Sequence, residues 1–293
     1  MEILNAMPPY TLFGVRGLAY KDARVTVLPV PYDSTTCYRA GTREGPHAII
    51  DASRNMEFYS EELDADVTEL GIYTLDELEP NVNSAEETIM RIKKEVSNIV
   101  SDGKIPLLIG GEHSITVGAQ MALAEKSRDF SVLHFDAHSD SRDKYMGSRY
   151  SHACVTARSM EICGSVYSVG VRSVSMEDAR SLGGRMLFRK DMRAMSTEEI
   201  VERICRNTRD RVYLTIDVDV LDPSEMPSTG TPEPDGLRFW ELASILKGVL
   251  GRKEVIGMDF TELLPIGGMV APNYLVAKLI FMALGYAYVR KKR

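Results

Sequence analysis

Cysteine and tryptophan are scarce in this sequence of 293 residues, which has four cysteines and one tryptophan. The cysteines are far apart, and no two of them form a Cys-x-x-Cys pair. This spacing excludes the small disulfide frameworks of secreted domains and favours reduced thiols in a cytoplasmic protein. The cysteines are Cys37, Cys154, Cys163 and Cys205.

Targeting and membrane signals are also missing. The first ten residues carry Glu2 and two prolines, where a signal peptide would have a cationic end and an apolar stretch. The only membrane-like run, residues 274–289, is broken by Lys278 and is shorter than the roughly 20 residues of a spanning helix. We therefore expect no membrane partner, and a buried C-terminal helix followed by a solvated basic end.

An excess of basic residues is absent too. Lys and Arg total 35 against 42 Asp and Glu, so the formal net charge is −7. Nucleic-acid binding needs a basic face, and the only basic run is residues 290–293. The chain is 44% apolar and 26% charged, a composition that excludes disordered and fibrous classes. We expect a globular protein with no nucleic-acid partner.

Short apolar runs alternate with longer helix-like stretches along the whole chain, which is typical of a parallel sheet with helical crossovers. The runs are continuously hydrophobic, so both faces of the sheet should be covered. No repeat, linker or shift in composition marks a domain boundary. We predict one α/β domain over residues 1–293, with three αβα layers and a mainly parallel, eight-stranded sheet. The predicted strands are residues 25–30, 71–75, 105–109, 131–135, 165–171, 186–188, 212–216 and 254–260.

Two sequence pairs predict the beginnings of helices. Ser84 with Glu87, and Ser196 with Glu199, have the spacing of a capping box. In that motif each side chain accepts a hydrogen bond from the other residue's backbone N–H.

Ligand-type side chains follow three of the predicted strands. The motif GGEHS occupies residues 110–114, DAHSD occupies 136–140, and DVD occupies 217–219. Residues two apart on an extended chain project to the same side, and open parallel sheets bind ligands at the carboxyl ends of their strands. We therefore expect one cluster, formed by His113, Asp136, His138, Asp140, Asp217 and Asp219.

Four clustered aspartates need electrostatic compensation. With pKa values near ~3.9 they would repel one another severely unless they were protonated or bound cations. Two divalent ions about 3.5–4 Å apart supply the balancing charge and lower the pKa of a bridging water toward about 7, which makes hydrolysis the leading reaction class. Oxygen-rich ligation with two histidines and no cysteine favours Mn²⁺ or another hard to borderline ion over a structural zinc, and the order of affinities alone excludes no other ion.

Two residues near this cluster are expected to have structural roles. His134 is expected to point away from Asp136 and to be a satisfied core histidine. Asp222, which precedes Pro223, is expected to form a turn or a helix cap.

Phosphoester hydrolysis stays open as a minor alternative. Asp-x-His also begins the binuclear phosphoesterase pattern, but that pattern continues with a later Gly-Asn-His-Asp or Gly-Asn-His-Glu. Here Gly-Gly-Glu-His precedes Asp136 instead.

The motifs resemble those of the arginase and agmatinase family of ureohydrolases. GGEHS, DAHSD and TIDVDVLDP (215–223) are supported by PYDSTTCYRAGTREGPHA (31–48) and PSTGTPE (227–233), in family order along most of the chain. The resemblance implies the same eight-stranded fold and two Mn²⁺ ions per chain. One ion would be held by His113, Asp136, Asp140 and Asp217, and the other by His138, Asp136, Asp217 and Asp219, with Asp136 and Asp217 as bridges.

The resemblance also implies a reaction and an assembly. A metal-bridging hydroxide would attack the carbon of a guanidinium group while Glu262 grips its NH groups. Asp140 or His152 would pass a proton to the leaving amine, and urea would be released. Homo-oligomers, as trimers or hexamers, are common in the family.

The loop of residues 141–151 carries the information on substrate. It lacks asparagine and, with its Tyr-Ser-His end at 150–152, resembles agmatinases more than arginases. Arg142, Lys144 and Arg149 are interpreted as solvated loop charges, although they are able to bind a carboxylate. We expect agmatine to be converted to putrescine and urea. Guanidinobutyrate, arginine, and an inactive metal-binding homologue are the alternatives.

Overall fold

In the computed structural model, which describes residues 7–289, all eight predicted apolar runs form strands of one sheet. Each boundary lies within one residue of its prediction, and the pairings in this sheet are all parallel. A separate antiparallel pair, β2 and β3, is only two residues long on each side, too short for a hydrophobic pattern to indicate. The strands are β1 (Val25–Val30), β2 (Tyr59–Ser60), β3 (Ala65–Asp66), β4 (Ile72–Thr74), β5 (Ile105–Gly110), β6 (Ser131–Phe135), β7 (Val166–Val171), β8 (Met186–Phe188), β9 (Arg211–Asp217) and β10 (Glu254–Thr261).

Helices cover both faces of the sheet, whose strand order is β4-β1-β5-β10-β9-β6-β7-β8. The helices are α1 (Gly45–Ser53), α2 (Ala85–Ser101), α3 (Thr116–Lys126), α4 (Val155–Cys163), α5 (Met176–Ser181), α6 (Arg189–Met192), α7 (Thr197–Asn207), α8 (Phe239–Leu250) and α9 (Ala271–Tyr288). Packing joins α1, α7, α8 and α9 in one layer and α2, α3 and α4 in another. The predicted three-layer αβα architecture is confirmed.

Strand β1 shows why the hydrophobic runs are continuous. Val27 belongs to the apolar cluster on one side of the sheet, and its neighbour Leu28 belongs to the cluster on the other. Because successive side chains point to opposite faces and both faces are covered by helices, every position of the strand is buried.

One of the two predicted capping boxes is complete. Ser196 Oγ accepts from the backbone N–H of Glu199 at 3.3 Å, and the Glu199 carboxylate accepts from the Ser196 N–H at 2.7 Å. Ser84 Oγ likewise accepts from the Glu87 N–H at 3.1 Å. The Glu87 carboxylate, however, accepts from the Asn81 side-chain amide at 2.6 Å and makes no reciprocal bond. The capping-box prediction is therefore wrong for Glu87: Ser84 caps the helix, but the Glu87 carboxylate does not accept from the Ser84 N–H.

The predicted C-terminal helix is α9, which packs against α1 and α8 and buries much of its length. Among residues 7–289, no helix is long and apolar enough to cross a membrane. The basic end expected at 290–293 and the first six residues lie outside the described part of the chain. The assignment of residues 1–293 to one domain stays a prediction.

Candidate metal centre

The predicted site residues lie at the carboxyl ends of four neighbouring strands in the middle of the sheet, β5, β10, β9 and β6. His113 follows β5, the DAHSD motif follows β6, Asp217 ends β9, and Glu262 follows β10. Although these segments are far apart in sequence, the strand order makes them adjacent. The structure brings all six predicted metal ligands into one region.

The turn after β5 depends on Gly111. A Cβ atom at this position would lie 1.9 Å from the Tyr32 carbonyl oxygen, so any other residue would force the two backbones apart. The carbonyl of Gly111 also accepts from the Glu262 N–H at 2.8 Å. The glycine thus allows a tight turn that carries His113 into the centre of the cluster.

A first group of ligand atoms surrounds the imidazole of His113. Its Nδ1 lies 3.2 Å from Asp136 Oδ2, 3.4 Å from Asp140 Oδ2 and 3.4 Å from Asp217 Oδ2. These side chains are at most 9% exposed. Three carboxylates and one ring nitrogen therefore converge in a site nearly closed to solvent.

A second group surrounds His138. Its Nδ1 lies 2.9 Å from Asp219 Oδ2 and 3.5 Å from Asp136 Oδ1. Asp136 therefore faces both groups, with one carboxylate oxygen toward each. Two sets of side chains are close enough together to hold a metal ion: His113, His134, Asp136 and Asp140 form one, and Asp136, His138 and Asp219 form the other.

The expectation for His134 is wrong. Its Nε2 lies 2.8 Å from Asp136 Oδ2, and its Nδ1 lies 3.0 Å from Ser168 Oγ. Residues 134 and 136 are two apart on an extended chain, so they share a side of the sheet rather than alternate. The imidazole is buried as expected, but it supports the central carboxylate of the cluster. Asp222, by contrast, forms a turn as expected, accepting from the Ser224 N–H at 3.0 Å.

The electrostatics of the cluster suit bound cations. Burial, together with the charges of Asp219 and Asp136, raises the pKa of Asp217 well above its usual value. Burial raises the pKa of Asp219 as well, with Asp136 adding to the effect. Burial alone would also raise the pKa of Asp136, but the three surrounding histidines hold it well below its usual value.

Three buried atoms in this cluster are left without a well-aligned hydrogen bond among residues 7–289: His113 Nδ1, His134 Nε2 and Asp136 Oδ2. Asp136 Oδ2 lies 3.2 Å from His113 Nδ1 and 2.8 Å from His134 Nε2. Buried polar atoms are normally paired. A metal ion would satisfy His113 Nδ1 and Asp136 Oδ2 and offset the raised pKa values, so the donor set fits a metal site.

Two of the predicted catalytic carboxylates have strained backbones. Glu262 has φ +66° and Asp140 has φ +45°, both in the left-handed region that favours glycine. Glu262 Oε1 accepts from the His113 N–H at 2.7 Å. Burial, reinforced by the charge of Glu112, raises the pKa of Glu262 well above its usual value. Its carboxylate lines the pocket above the cluster.

His152 lies at the edge of the same pocket, in a hydrogen-bonded network that sequence analysis missed. Its Nδ1 lies 3.3 Å from Thr35 Oγ1, which donates to the buried carboxylate of Glu112 at 2.6 Å. Burial lowers the pKa of His152, which favours the neutral ring. Thr35 and Glu112 both lie within motifs that the sequence analysis quoted, but their partners are distant in sequence.

The pocket above the cluster has a volume of about 380 Å³ and is lined by residues of both charges. Asp178 lines it, as does Arg142, whose guanidinium lies 4.9 Å from the centre of the Tyr145 ring. Arg142 is exposed, as expected for a solvated loop charge, and it also lies at the pocket wall. Arg149 is a surface residue paired with Glu161 at 2.6 Å.

The family model described as "Arginase family" matches residues 23–285. The chain belongs to the arginase family. An N(1)-aminopropylagmatine ureohydrolase from Synechocystis is 38% identical over 277 residues, which cover 92% of this chain and 90% of the relative. An agmatinase from Pyrococcus horikoshii is 36% identical over 270 residues, which cover 90% of this chain and 92% of the relative.

The fold of this arginase-family hydrolase is also that of solved relatives. The structure of the agmatine ureohydrolase of Thermoplasma volcanium matches with a TM-score of 0.86 at 33% identity, covering 97% of this chain and 95% of that chain. The predictions of fold, family and hydrolase class are therefore confirmed.

Proposed function

We propose that this arginase-family hydrolase uses two Mn²⁺ ions to cleave agmatine into putrescine and urea. The observation that carries the proposal is the position of Asp136 between two ligand groups, beneath a pocket lined by Glu262. A carboxylate with one oxygen toward each group is suited to bridge two ions. The ligand set, rich in oxygen with two imidazoles, suits Mn²⁺.

The two ions would divide the predicted ligands. The distances around His113 support one ion on His113, Asp136, Asp140 and Asp217, and those around His138 support another on His138, Asp136 and Asp219. Asp217 would contribute to both. When bound, such a pair supplies a water molecule acidic enough to act as a nucleophile at neutral pH.

Glu262 would bind the guanidinium group of the substrate. Its Oε1 already accepts from the His113 N–H, so Oε2 is the oxygen with greater capacity to accept from the substrate. A planar guanidinium offers parallel N–H donors that match a carboxylate. The cationic substrate would also relieve the cost of burying Glu262 in its ionised form.

Asp140 and His152 would handle the proton of the leaving amine. Because His152 Nδ1 faces Thr35, its Nε2 is the nitrogen suited to exchange a proton with the substrate. A neutral ring, favoured by the pKa lowered through burial, is able to receive that proton. Asp140, which is also a proposed metal ligand, lines the same pocket as His152 and would be the alternative group to pass a proton to the amine.

The far end of the substrate decides which guanidine is cleaved. Apart from the carboxylates already assigned, Asp178 is the acidic side chain among the described residues that line the pocket. It would receive the terminal ammonium of agmatine. Arg142 acts in the opposite sense, because its charge favours a carboxylate and keeps guanidinobutyrate and arginine as candidates.

A longer cationic substrate is the second candidate. The relatives from Synechocystis and Thermus thermophilus are named N(1)-aminopropylagmatine ureohydrolases. A second cavity, of about 810 Å³, shares Thr36 and Tyr145 with the pocket and is also lined by residues 82–86. This cavity would accommodate an aminopropyl extension.

A substrate panel tests the proposal. Urea release from agmatine, N(1)-aminopropylagmatine, guanidinobutyrate and arginine is measured with the Mn²⁺-loaded enzyme, and kcat/KM values are compared. We expect agmatine to exceed arginine by more than ten-fold, because an unpaired carboxylate is costly to desolvate. Asp178→Asn should raise KM for agmatine and leave guanidinobutyrate largely unaffected.

Three outcomes would contradict this assignment in different ways. A preference for a carboxylate-bearing compound would overturn the assignment of agmatine as the substrate but would remain consistent with ureohydrolase chemistry. A preference for the aminopropyl compound selects the second candidate. Urea release from none of them, in protein that holds both ions, identifies an inactive homologue.

Assembly and location stay predictions. We expect a homo-oligomer, a trimer or hexamer, in the cytoplasm. Light scattering coupled to size-exclusion chromatography measures the oligomeric state.

A further inference from the structure

We infer that Thr215 and Asp259 form a relay that orients His113 and determines which of its ring nitrogens binds metal. The inference rests on the proposed ligand role of His113. Neither relay residue belongs to the proposed set of ligands and catalytic groups. Asp259 is a fully buried carboxylate that the proposed reaction does not otherwise use.

The relay is a continuous series of short contacts behind the imidazole. His113 Nε2 lies 2.7 Å from Thr215 Oγ1, and Thr215 Oγ1 donates to Asp259 Oδ1 at 2.6 Å. The hydroxyl of Tyr213 donates to the other oxygen of Asp259 at 2.7 Å. All four residues have no measurable exposure to solvent, so water does not compete for these bonds.

When Asp259 is ionised, counting hydrogens assigns the direction of each bond. A threonine hydroxyl has one hydrogen, and an ionised carboxylate is only an acceptor. The hydrogen of Thr215 therefore lies toward Asp259, and the Thr215 oxygen offers a lone pair to His113. Nε2 must then carry the N–H, and in a neutral ring Nδ1 keeps its lone pair. That nitrogen is the one that faces Asp136, Asp140 and Asp217.

The register of two central strands builds the relay. Asp259 of β10 pairs directly with Thr215 of β9, and Tyr213 pairs with Gly257 two residues earlier. A Cβ atom at Gly257 would lie 3.0 Å from the ring of Tyr213, so the glycine leaves room for the phenol to reach Asp259. Parallel register thus places a hydroxyl, a carboxylate and a second hydroxyl on one side of the sheet.

The relay gives the buried carboxylate of Asp259 a role, although this carboxylate lies away from the pocket. Histidines that bind metals generally donate their other N–H to a group that fixes the ring and makes it a stronger ligand. Here a threonine stands between the imidazole and the carboxylate. Removing the hydroxyl would leave Nε2–H without this acceptor and Asp259 Oδ1 without the donor that Thr215 supplies.

Three threonine variants test the relay. Thr215→Val removes the hydroxyl and keeps the shape, while Thr215→Ser keeps the hydroxyl. Thr26→Val is a matched control, because Thr26 is also a fully buried strand residue and its hydroxyl has no hydrogen-bond partner in the described chain. Mn²⁺ affinity is measured by titration followed by electron paramagnetic resonance, which detects the free ion.

We expect Thr215→Val to lower the affinity for one of the two ions by about 10- to 100-fold. Thr215→Ser should remain within roughly three-fold of the wild type, and Thr26→Val should be unchanged. Equal loss in Thr215→Val and Thr26→Val would identify a general packing effect and overturn the relay. Wild-type affinity in Thr215→Val would also overturn it.

A measurement on the unaltered protein keeps the test decisive if Thr215→Val does not fold. Long-range ¹H–¹⁵N correlation spectra of the Zn²⁺-loaded protein, with His113→Ala used for assignment, report which ring nitrogen carries hydrogen. We expect hydrogen on Nε2 of His113, and hydrogen on Nδ1 would overturn the relay.

The affinity of His113→Ala separates this inference from the proposed function. If that variant keeps both ions at wild-type affinity, the ligand role fails and the relay fails with it. If it loses an ion while Thr215→Val does not, only the relay fails.

Discussion

At the scale of single residues, the aspartates of the cluster differ in how many ligand groups they face. Asp136 presents Oδ2 to His113 and Oδ1 to His138. The carboxylate of Asp219 contacts His138, whereas Nδ1 of His113 contacts the carboxylates of the first group. Asp136 also accepts from the His138 N–H at 2.5 Å, so it supports the backbone of the motif. Loss of the Asp136 carboxylate should therefore weaken the binding of both ions.

Metal content should follow this ranking. We expect Asp136→Ala to lose both ions, while His113→Ala and Asp219→Ala each lose one ion preferentially, because each contacts one group. Protein loaded with Mn²⁺ and then desalted is analysed for metal per chain, with folding checked by circular dichroism. The ranking is wrong if Asp136→Ala retains two tightly held ions.

At the scale of elements, Arg172 at the end of β7 joins segments that lie far apart in sequence. Its Nη2 donates to the Asp219 carbonyl at 2.6 Å and to the Glu233 carbonyl at 2.9 Å, and its Nε donates to the Pro234 carbonyl at 2.9 Å. The guanidinium therefore ties the turn after β9, which carries Asp219, to the end of the PSTGTPE motif. Burial lowers the pKa of Arg172, so these carbonyls are needed to hold its charge.

Removing this guanidinium should destabilise the fold and disturb the metal site together. Arg172→Met leaves several carbonyls unpaired, and we expect a loss of about 3 kcal/mol in the free energy of unfolding, measured in urea. Arg172→Lys should lose less, since an ammonium retains some of the donors.

The matched control is Arg193→Met, because Arg193 is 59% exposed and pairs with Asp235 at the surface. Its effect should be within about 1 kcal/mol of zero. Weaker Mn²⁺ binding in Arg172→Met is also expected, since Asp219 would lose its support. Equal stabilities of the Arg172→Met and Arg193→Met variants would contradict this assignment.

At the scale of the whole molecule, stability and metal binding are linked through buried negative charge. The chain has a formal net charge of −7 and buries Asp136, Asp217, Asp219 and Glu262 at one end of the sheet. Without metal ions, ionising Asp217, Asp219 and Glu262 opposes folding, because burial raises the pKa of each of them in the folded state. Metal binding to the folded state should therefore raise the unfolding temperature.

Asp217→Asn should stabilise the metal-free protein, by roughly 1–2 kcal/mol at pH 8. The pKa of Asp217 is raised in the folded state. Its contribution to the stability of the fold is therefore complete below the unfolded pKa of about 3.9, where the side chain is protonated, and is lost as the pH rises. The advantage of asparagine should therefore be small near pH 4 and grow with pH. Urea unfolding in EDTA from pH 4 to pH 8 measures it.

Adding Mn²⁺ should reverse this order of stability, so that the wild type becomes more stable than Asp217→Asn. The wild type gains binding free energy that the asparagine variant largely lacks. A variant that remains more stable than the wild type at saturating Mn²⁺ would contradict a ligand role for Asp217. An advantage that is independent of pH would contradict the electrostatic explanation.

The sequence alone determined the elements and the composition of the site. Continuous hydrophobic runs located every strand of the main sheet, because both faces of each strand are buried. Spacing by two residues grouped the ligands within 136–140 and within 217–219, because that spacing is local to one chain segment. The same rule, correctly applied, would have joined His134 to Asp136.

The tertiary structure decided which segments meet. Strand order makes β5, β10, β9 and β6 neighbours, and no local pattern encodes an order that departs from the sequence. Thr215 bonds Asp259, Arg172 bonds Asp219, and Thr35 bonds Glu112, and each of these pairs is 44 or more residues apart in sequence. Folding likewise brings Arg142 and Asp178 to the same pocket. Local periodicity specifies the side of a strand on which a residue lies, whereas strand register and loop packing specify what that residue touches.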